Sequence, residues 1–369
     1  MAMGFSGSNG GISNHKKMAI GFSGSCGGVS NSHTSLSTKQ NLLEELDISY
    51  FINNICNLKC RHCYVGYNNK NDELSIKEWK NVFGELIDMG ALTFGNVGKE
   101  PLLSWDKTKE LLYFLAEKRE KISKLRFGIV TNATLMNKKI IKELAEIMPN
   151  YIDISLDGTK EKHDYIRGKG NFEKTINNIK LMHEYPRLLE KVFIIHTLNN
   201  HNKENLPEFF KTSYGFGLKN LLISPYIPTP KGNGELNISD EKIVEIYQKI
   251  ANGRIFDFNK FNDLEIIIKN DYDTTKSIMD KLVEKETIDL KNLFIDEYGV
   301  IFNKYEYGTN RVIINYLPIN DVFTKQIRIS HDGYVSNCYA QFFENYPERK
   351  EVIGNVKEKS ISEILKSFR

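Results

Sequence analysis

Three of the chain's five cysteines fall within eight residues, as Cys56-Asn57-Leu58-Lys59-Cys60-Arg61-His62-Cys63, a C-x3-C-x2-C spacing. A loop of this length can turn all three sulfurs toward one metal centre. The count is informative. A structural zinc site or a purely electron-carrying [4Fe–4S] cluster takes four protein ligands, whereas a cluster held by three leaves one iron open to another molecule. The rival reading is zinc, with His62 or a distant cysteine as fourth ligand. Redox-active thiols fit less well, because the C-x-x-C of that class opens a helix in a thioredoxin-like pattern.

The loop directly follows a β-rich run, residues 46–52, so the elements around it decide what it can serve. Further β-like runs lie at 91–96, 125–131, 151–156, 191–198 and 220–225. Helical patterns alternate with them. Ser75-Ile76-Lys77-Glu78 reads as a capping box opening a helix whose Trp79, Val82, Phe83, Leu86 and Ile87 recur at helical spacing. Other helices are expected over 107–120, 138–148, 172–184 and 205–213. Six β/α units of about 25–40 residues imply parallel strands joined by right-handed crossovers. Reactive groups then belong at the carboxyl ends of the strands.

At 369 residues the chain can hold one large α/β domain and a smaller one. A net charge of +3 gives no bulk argument for a nucleic-acid or membrane partner. Lys16 and Lys17 precede no apolar signal core, and no apolar run approaches the roughly 18 residues of a membrane span. An odd number of cysteines, clustered for metal, fits a reducing cytoplasm.

The cysteine loop, placed after a first strand with His62 just before its last cysteine, resembles that of the radical S-adenosylmethionine (SAM) superfamily. The resemblance implies a partial (β/α)6 TIM-like barrel, one [4Fe–4S] cluster on Cys56, Cys60 and Cys63, and SAM bound at the open iron. Reduction would cleave SAM and release a 5′-deoxyadenosyl radical that abstracts a hydrogen. His62 matches the position that packs on adenine. Gly95-Asn96-Val97-Gly98-Lys99-Glu100-Pro101 resembles the family's Gly-Gly-Glu-Pro motif, which contacts the SAM amino group, with Lys99 departing at the second glycine. A side chain there is expected to point away from SAM. Thr131-Asn132-Ala133 is similar to Thr-Asn-Gly, and Ser155-Leu156-Asp157-Gly158 to the Ser-x-Asp-Gly of the peptide-modifying branch, where the Ser region contacts SAM. Asp157 either contributes there or holds a turn. His163-Asp164-Tyr165-Ile166-Arg167-Gly168 resembles His-Asp-x-x-Arg-Gly, which makes Arg167 the expected partner of the SAM carboxylate.

The chain divides into residues 1–43, a radical SAM core at 44–235, a mostly helical insertion or linker at 236–324 with Ser239 as a helix cap, and 325–369. The last part, with an Asp332-Gly333 hairpin turn and a final helix at 360–368, resembles a small α+β SPASM or twitch-like domain. That domain normally carries seven cysteines. Here it has Cys338 alone, either a buried hydrophobe or a ligand or relay, so no four-cysteine auxiliary cluster can form. Residues 1–34 are a Gly/Ser-rich tandem repeat, Met1–Asn14 recurring as 18–31, expected to be disordered. The repeat is either a flexible tail or a likeness of a ribosomally made peptide. The resemblance thus implies an enzyme acting on a peptide, with flavodoxin or ferredoxin as reductant. A small metabolite is the alternative substrate, and a zinc-stabilised binding protein the alternative from another class.

Overall fold

The computed structural model describes residues 47–63, 65, 72–226, 228, 234–269, 272–289, 293–295, 301–316, 326–336 and 352–368. The tandem repeat, Cys26 and Cys338 lie outside the described residues.

Six strands pair in chain order, each parallel to the next: β1 (Asp47–Tyr50), β2 (Thr93–Asn96), β3 (Arg126–Thr131), β4 (Tyr151–Ser155), β5 (Val192–Leu198) and β6 (Asn220–Pro225). All six expected runs form strands. Between them lie α1 (Ile76–Asp88), α2 (Trp105–Lys121), α3 (Lys138–Ile147), α4 (Lys160–Arg167), α5 (Asn171–Leu181), α6 (Pro186–Leu189) and α7 (Leu206–Gly215). The capping box at Ser75 and Glu78 is present in full. The short helix α4 was not foreseen, because its sequence is strongly polar and only His163, Ile166 and Arg167 are buried.

Strand alternation sorts the side chains. Ile48, Tyr50, Phe94, Phe127, Ile152 and Ile194 point out toward the helices and join Trp79, Phe83 and Leu144 in one large core. Each such side chain contributes about 1.5–3 kcal/mol on burial. The alternate positions line the lumen, where Tyr151, Phe193, Ile267 and Ile313 form a separate apolar cluster.

Residues 236–324 depart from the expectation of a mostly helical stretch. Helices α8 (Asp240–Ala251) and α9 (Tyr272–Glu284) share it with β7 (Glu265–Ile268), β8 (Phe294–Ile295), β9 (Ile301–Tyr307) and β10 (Asn310–Tyr316). Glu265-Ile266-Ile267-Ile268 is a short apolar run, which periodicity alone cannot assign. Here it is fully buried and continues the barrel: β7 is parallel to β6, and β10 parallel to β7. Strands β9 and β10 form a hairpin turning at Gly308, whose φ is +63°.

At the other edge β11 (Gln326–Ile329) runs parallel to β1, followed by the antiparallel β12 (Tyr334–Ser336) and β13 (Val352–Asn355). Helix α10 (Ile361–Phe368) closes the unit. One sheet therefore runs β13-β12-β11-β1-β2-β3-β4-β5-β6-β7-β10-β9-β8, and its two ends do not pair. The barrel is partial, and the small C-terminal unit is continuous with it. Among the described residues no helix is long and apolar enough to cross a membrane.

Candidate active site

The cysteine loop leaves β1 at its carboxyl end and is tied down on three sides. Toward β2, Glu100 N donates to Ile55 O (3.0 Å) and Asn53 Nδ2 to Glu100 O (3.0 Å). Toward β3, Asn57 Nδ2 donates to Thr134 Oγ1 (2.8 Å), and Asn57 Oδ1 accepts from Asn132 Nδ2 (3.0 Å). Toward α4, Arg61 N donates to Ile166 O (2.9 Å) and Arg61 Nε to Tyr165 O (2.9 Å). Cys56 and Cys60 are half-buried, and Cys63 is exposed.

Two sulfurs already accept hydrogen bonds, Cys56 from Leu58 N (3.4 Å) and Cys60 from Arg167 Nη1 (3.9 Å). Burial pushes the Cys60 thiol up to about 12, against the pull of Arg167. It raises Cys56 as well, opposed by the Leu58 N–H and, further off, by the Lys99 charge. Among the described residues no three His, Cys, Asp or Glu side chains are disposed about a single metal ion. Three loop thiols, two of them with N–H···S donors, suit a cluster, whose potential such bonds help set. His62 does not complete a zinc set. Its Nε2 lies 3.3 Å from Arg167 Nη2 and 3.7 Å from Asp157 Oδ2.

Most of the residues singled out by sequence gather at this rim, but in two networks that brace the loop. In the first, the fully buried Glu100 carboxylate accepts from Leu102 N (3.0 Å), Thr131 Oγ1 (2.7 Å) and Asn132 N (2.9 Å). Glu100 thereby locks the β2 loop to the end of β3. Burial raises its carboxyl to about 7, outweighing those three donors. A raised carboxyl holds its proton in the folded chain after the unfolded chain has lost it. The Glu100 contribution to stability should therefore fall as pH rises from the unfolded value of about 4.3 through about 7, and then level off. Thermal unfolding at closely spaced pH values measures this, and Glu100→Gln should flatten the curve.

In the second network, Arg167 Nε donates to Asp157 Oδ2 (2.5 Å) and Thr197 N to Asp157 Oδ1 (2.9 Å). Asp157 is fully buried and Arg167 is 9% exposed. Burial alone would raise Asp157, yet Arg167 and His62 hold its carboxyl well below the usual range. Three imidazoles surround the pair, and burial lowers each: His62 to about 4, His196 to about 4 and His163 to about 3. They are neutral at physiological pH. Arg167, expected to face the SAM carboxylate, thus spends its fork on Asp157, Cys60 and His62. Asp157 is a charge partner as much as a turn residue.

Gly98 and Lys99 also serve the backbone. Gly98 has φ +74°, and a Cβ there would lie 2.1 Å from Phe51 Cε1. The glycine admits the Phe51 ring. Gly98→Ala should cost about 2–4 kcal/mol, read as a shift in the denaturant midpoint. Lys99 adopts φ +53°, a conformation glycine holds without strain. Its charge is felt at Cys56, so it is not remote from the loop.

Ser155 and Thr197 stand at lumen-facing positions near the ends of β4 and β5. Beside them His62 Nδ1 is buried with no hydrogen-bond partner among the described residues. A polar cofactor beside the thiols has hydroxyls and a ring nitrogen available there, which fits SAM. Sequence reasoning missed Asn57, although it lies inside the loop, and His196 and Asn202, which only the fold brings to Asp157. It also missed the rim stack of Arg61 on Tyr165 (4.3 Å) and Tyr165 on His201 (3.8 Å).

Comparison with known proteins agrees with this geometry. The family described as "Radical SAM superfamily" matches residues 50–212, and "SPASM: Iron-sulfur cluster-binding domain" matches 321–369. The chain is 34% identical over 158 residues to Fe-coproporphyrin III synthase of Methanosarcina barkeri, covering 42% of this chain and 37% of that protein. It is 33% identical over 144 residues to the antilisterial bacteriocin subtilosin biosynthesis protein AlbA of Bacillus subtilis, covering 38% and 31%. Both matches span well under half of the relative's length. In fold it is similar to Streptococcus suis SuiB bound to the precursor peptide SuiA, with a TM-score of 0.64 and 16% identity over 86% of this chain and 64% of that one. A three-cysteine loop on a partial barrel and a sheet-continuous C-terminal unit agree with those matches: the chain carries a radical SAM domain at residues 50–212 and a SPASM domain at 321–369.

Proposed function

We propose that the enzyme modifies a ribosomally made peptide. The observation that carries this is the SPASM unit joined directly to the barrel through β11 on β1, beside the cysteine loop. The likeness to a bacteriocin biosynthesis protein and to a fold bound to a precursor peptide supports it. A [4Fe–4S] cluster with SAM bound would supply reductive SAM cleavage and hydrogen-atom abstraction from the substrate. Cys56, Cys60 and Cys63 would hold the cluster. Arg167 would direct an N–H to the Cys60 sulfur, while Ser155, Thr197 and His62 would face SAM at the rim. The apolar cluster of Tyr151, Phe193, Ile267 and Ile313 would keep water from the lumen. A flavodoxin or ferredoxin in the cytoplasm is the proposed reductant.

The test uses full-length protein with SAM and a strong reductant, followed by mass spectrometry of residues 1–34 and of a free peptide of that sequence. A loss of about two hydrogens is expected, one as the atom passed to the SAM-derived radical and one as a proton whose electron would return to the oxidised cluster or, through it, to the flavodoxin or ferredoxin. Consumption of SAM with both peptides unchanged would shift the reading to a small metabolite. That second reading is favoured by the likeness to Fe-coproporphyrin III synthase.

A further inference from the structure

Between the rim and the apolar floor of the barrel lies a charged layer with no part in the networks above. Asp153 occupies the middle of β4, in register with Val130 of β3 and Phe193 of β5. Alternation sets it on the same face as Tyr151, one step nearer the rim, so it looks into the lumen. It is 0% exposed, and neither carboxyl oxygen accepts a hydrogen bond from any described residue. Lys269 follows β7, its N–H donating to Ile223 O (2.8 Å), and alternation places it above Ile267. It is 4% exposed. Two strands, β5 and β6, separate their strands, which is about 14 Å along the sheet and less across the lumen.

Other ionisable groups at lumen-facing positions lie elsewhere. Asp47, Arg126, Glu265 and Arg311 sit toward the amino ends of their strands, with Arg311 paired to Glu265 (2.5 Å). Arg328 is on β11, in register with Ser49. Lys269 is the charge that acts on Asp153. Burial raises the Asp153 carboxyl to about 8, with Lys269 pulling the other way.

A desolvated carboxyl without a hydrogen-bond partner costs stability, and such costs are kept where a ligand redeems them. We propose that Asp153 and Lys269 hold the reacting stretch of the substrate by one peptide unit, the carboxyl accepting its N–H and the ammonium donating to its C=O. This rests on the peptide reading above. It adds the place where the chain of the substrate is gripped, in the lumen below Ser155 and Thr197. The pair makes Asp153 and Lys269 substrate-positioning residues.

The test uses full-length, cluster-loaded Asp153→Asn, Lys269→Met and the double variant, with a synthetic peptide of residues 1–34 as probe. Without peptide, Asp153→Asn should melt at or above the wild-type temperature. It should also remove the part of the fall in stability above about pH 7 that Glu100 does not account for. With peptide, wild type should gain thermal stability, and each single variant should bind about tenfold or more weakly. Two results overturn the proposal. One is that each single variant melts about 5 °C or more below wild type while the double recovers, which marks a structural ion pair. The other is that the variants bind the peptide as wild type does. A wild-type protein that ignores the peptide overturns the peptide reading itself and, with it, the peptide unit assigned to the pair. The melting comparison still reports whether the two charges support the fold.

Discussion

Replacing Cys56, Cys60 and Cys63 together by alanine is expected to give a colourless protein that neither retains iron nor cleaves SAM. Anaerobically reconstituted wild type should carry about four irons per chain, as one cubane cluster requires. The variant should fall to background. The fold should survive, because Cys63 is exposed and the other two are only half-buried, and the loop is held by Asn53, Asn57, Arg61 and the Glu100 backbone rather than by its sulfurs. Iron analysis, absorbance and 5′-deoxyadenosine formation read the outcome. Undiminished SAM cleavage by the triple variant would remove the cluster from this loop.

Arg167→Ala should lower stability by about 3–5 kcal/mol, a large fraction of the 5–15 kcal/mol typical of a folded domain. The substitution leaves Asp157 charged, fully buried and without its closest partner. Sequence alone made Arg167 a ligand for the SAM carboxylate, a role whose removal would by itself leave the fold intact. The 2.5 Å contact to Asp157 predicts the opposite. The sign with pH follows from the depressed carboxyl. A pair whose acid titrates below its unfolded value of about 3.9 stabilises the chain above that value and is lost only in stronger acid. The difference between wild type and variant should therefore hold from neutral pH down to about 5. Arg167→Lys should recover part of the loss, keeping the charge but not the fork. Denaturant titration at pH 7 and pH 5 checks both statements. A variant with a wild-type midpoint and weak SAM binding would return Arg167 to the cofactor.

The six barrel strands were legible because each is a short apolar run bounded by turn residues, and Ser75 announced the first helix. The cysteine loop was legible because three thiols at that spacing have few uses. Partnerships were not. Glu100 is 31 residues from Thr131 and 32 from Asn132, and only parallel pairing of β2 and β3 brings it within hydrogen-bond distance of them. Asp157 and Arg167 are joined by the helix α4, which its polar composition concealed. Strand β7 was lost among Lys, Asp and Glu, since a four-residue apolar run gives no period to read. Asp153 left a trace: a carboxylate at an alternating position inside Tyr151-Ile152-Asp153-Ile154 belongs to a lumen rather than to solvent.

The pairing of β1 with β11 has a consequence for how the protein is made. Asp47 meets Gln326, and Tyr50 meets Ile329, so the first strand of the barrel receives one of its two neighbours from a segment synthesised 279 residues later. During translation the unpaired edge of β1 waits, with the cysteine loop hanging from it. Contacts of such high sequence separation form slowly and leave an open edge at risk of the wrong pairing. Iron delivered before β11 docks would meet a loop held from the β2 and β3 sides but not yet from the strand beneath it. Cluster insertion is therefore expected to follow the docking of β11, and chains stalled before residue 326 should remain iron-free.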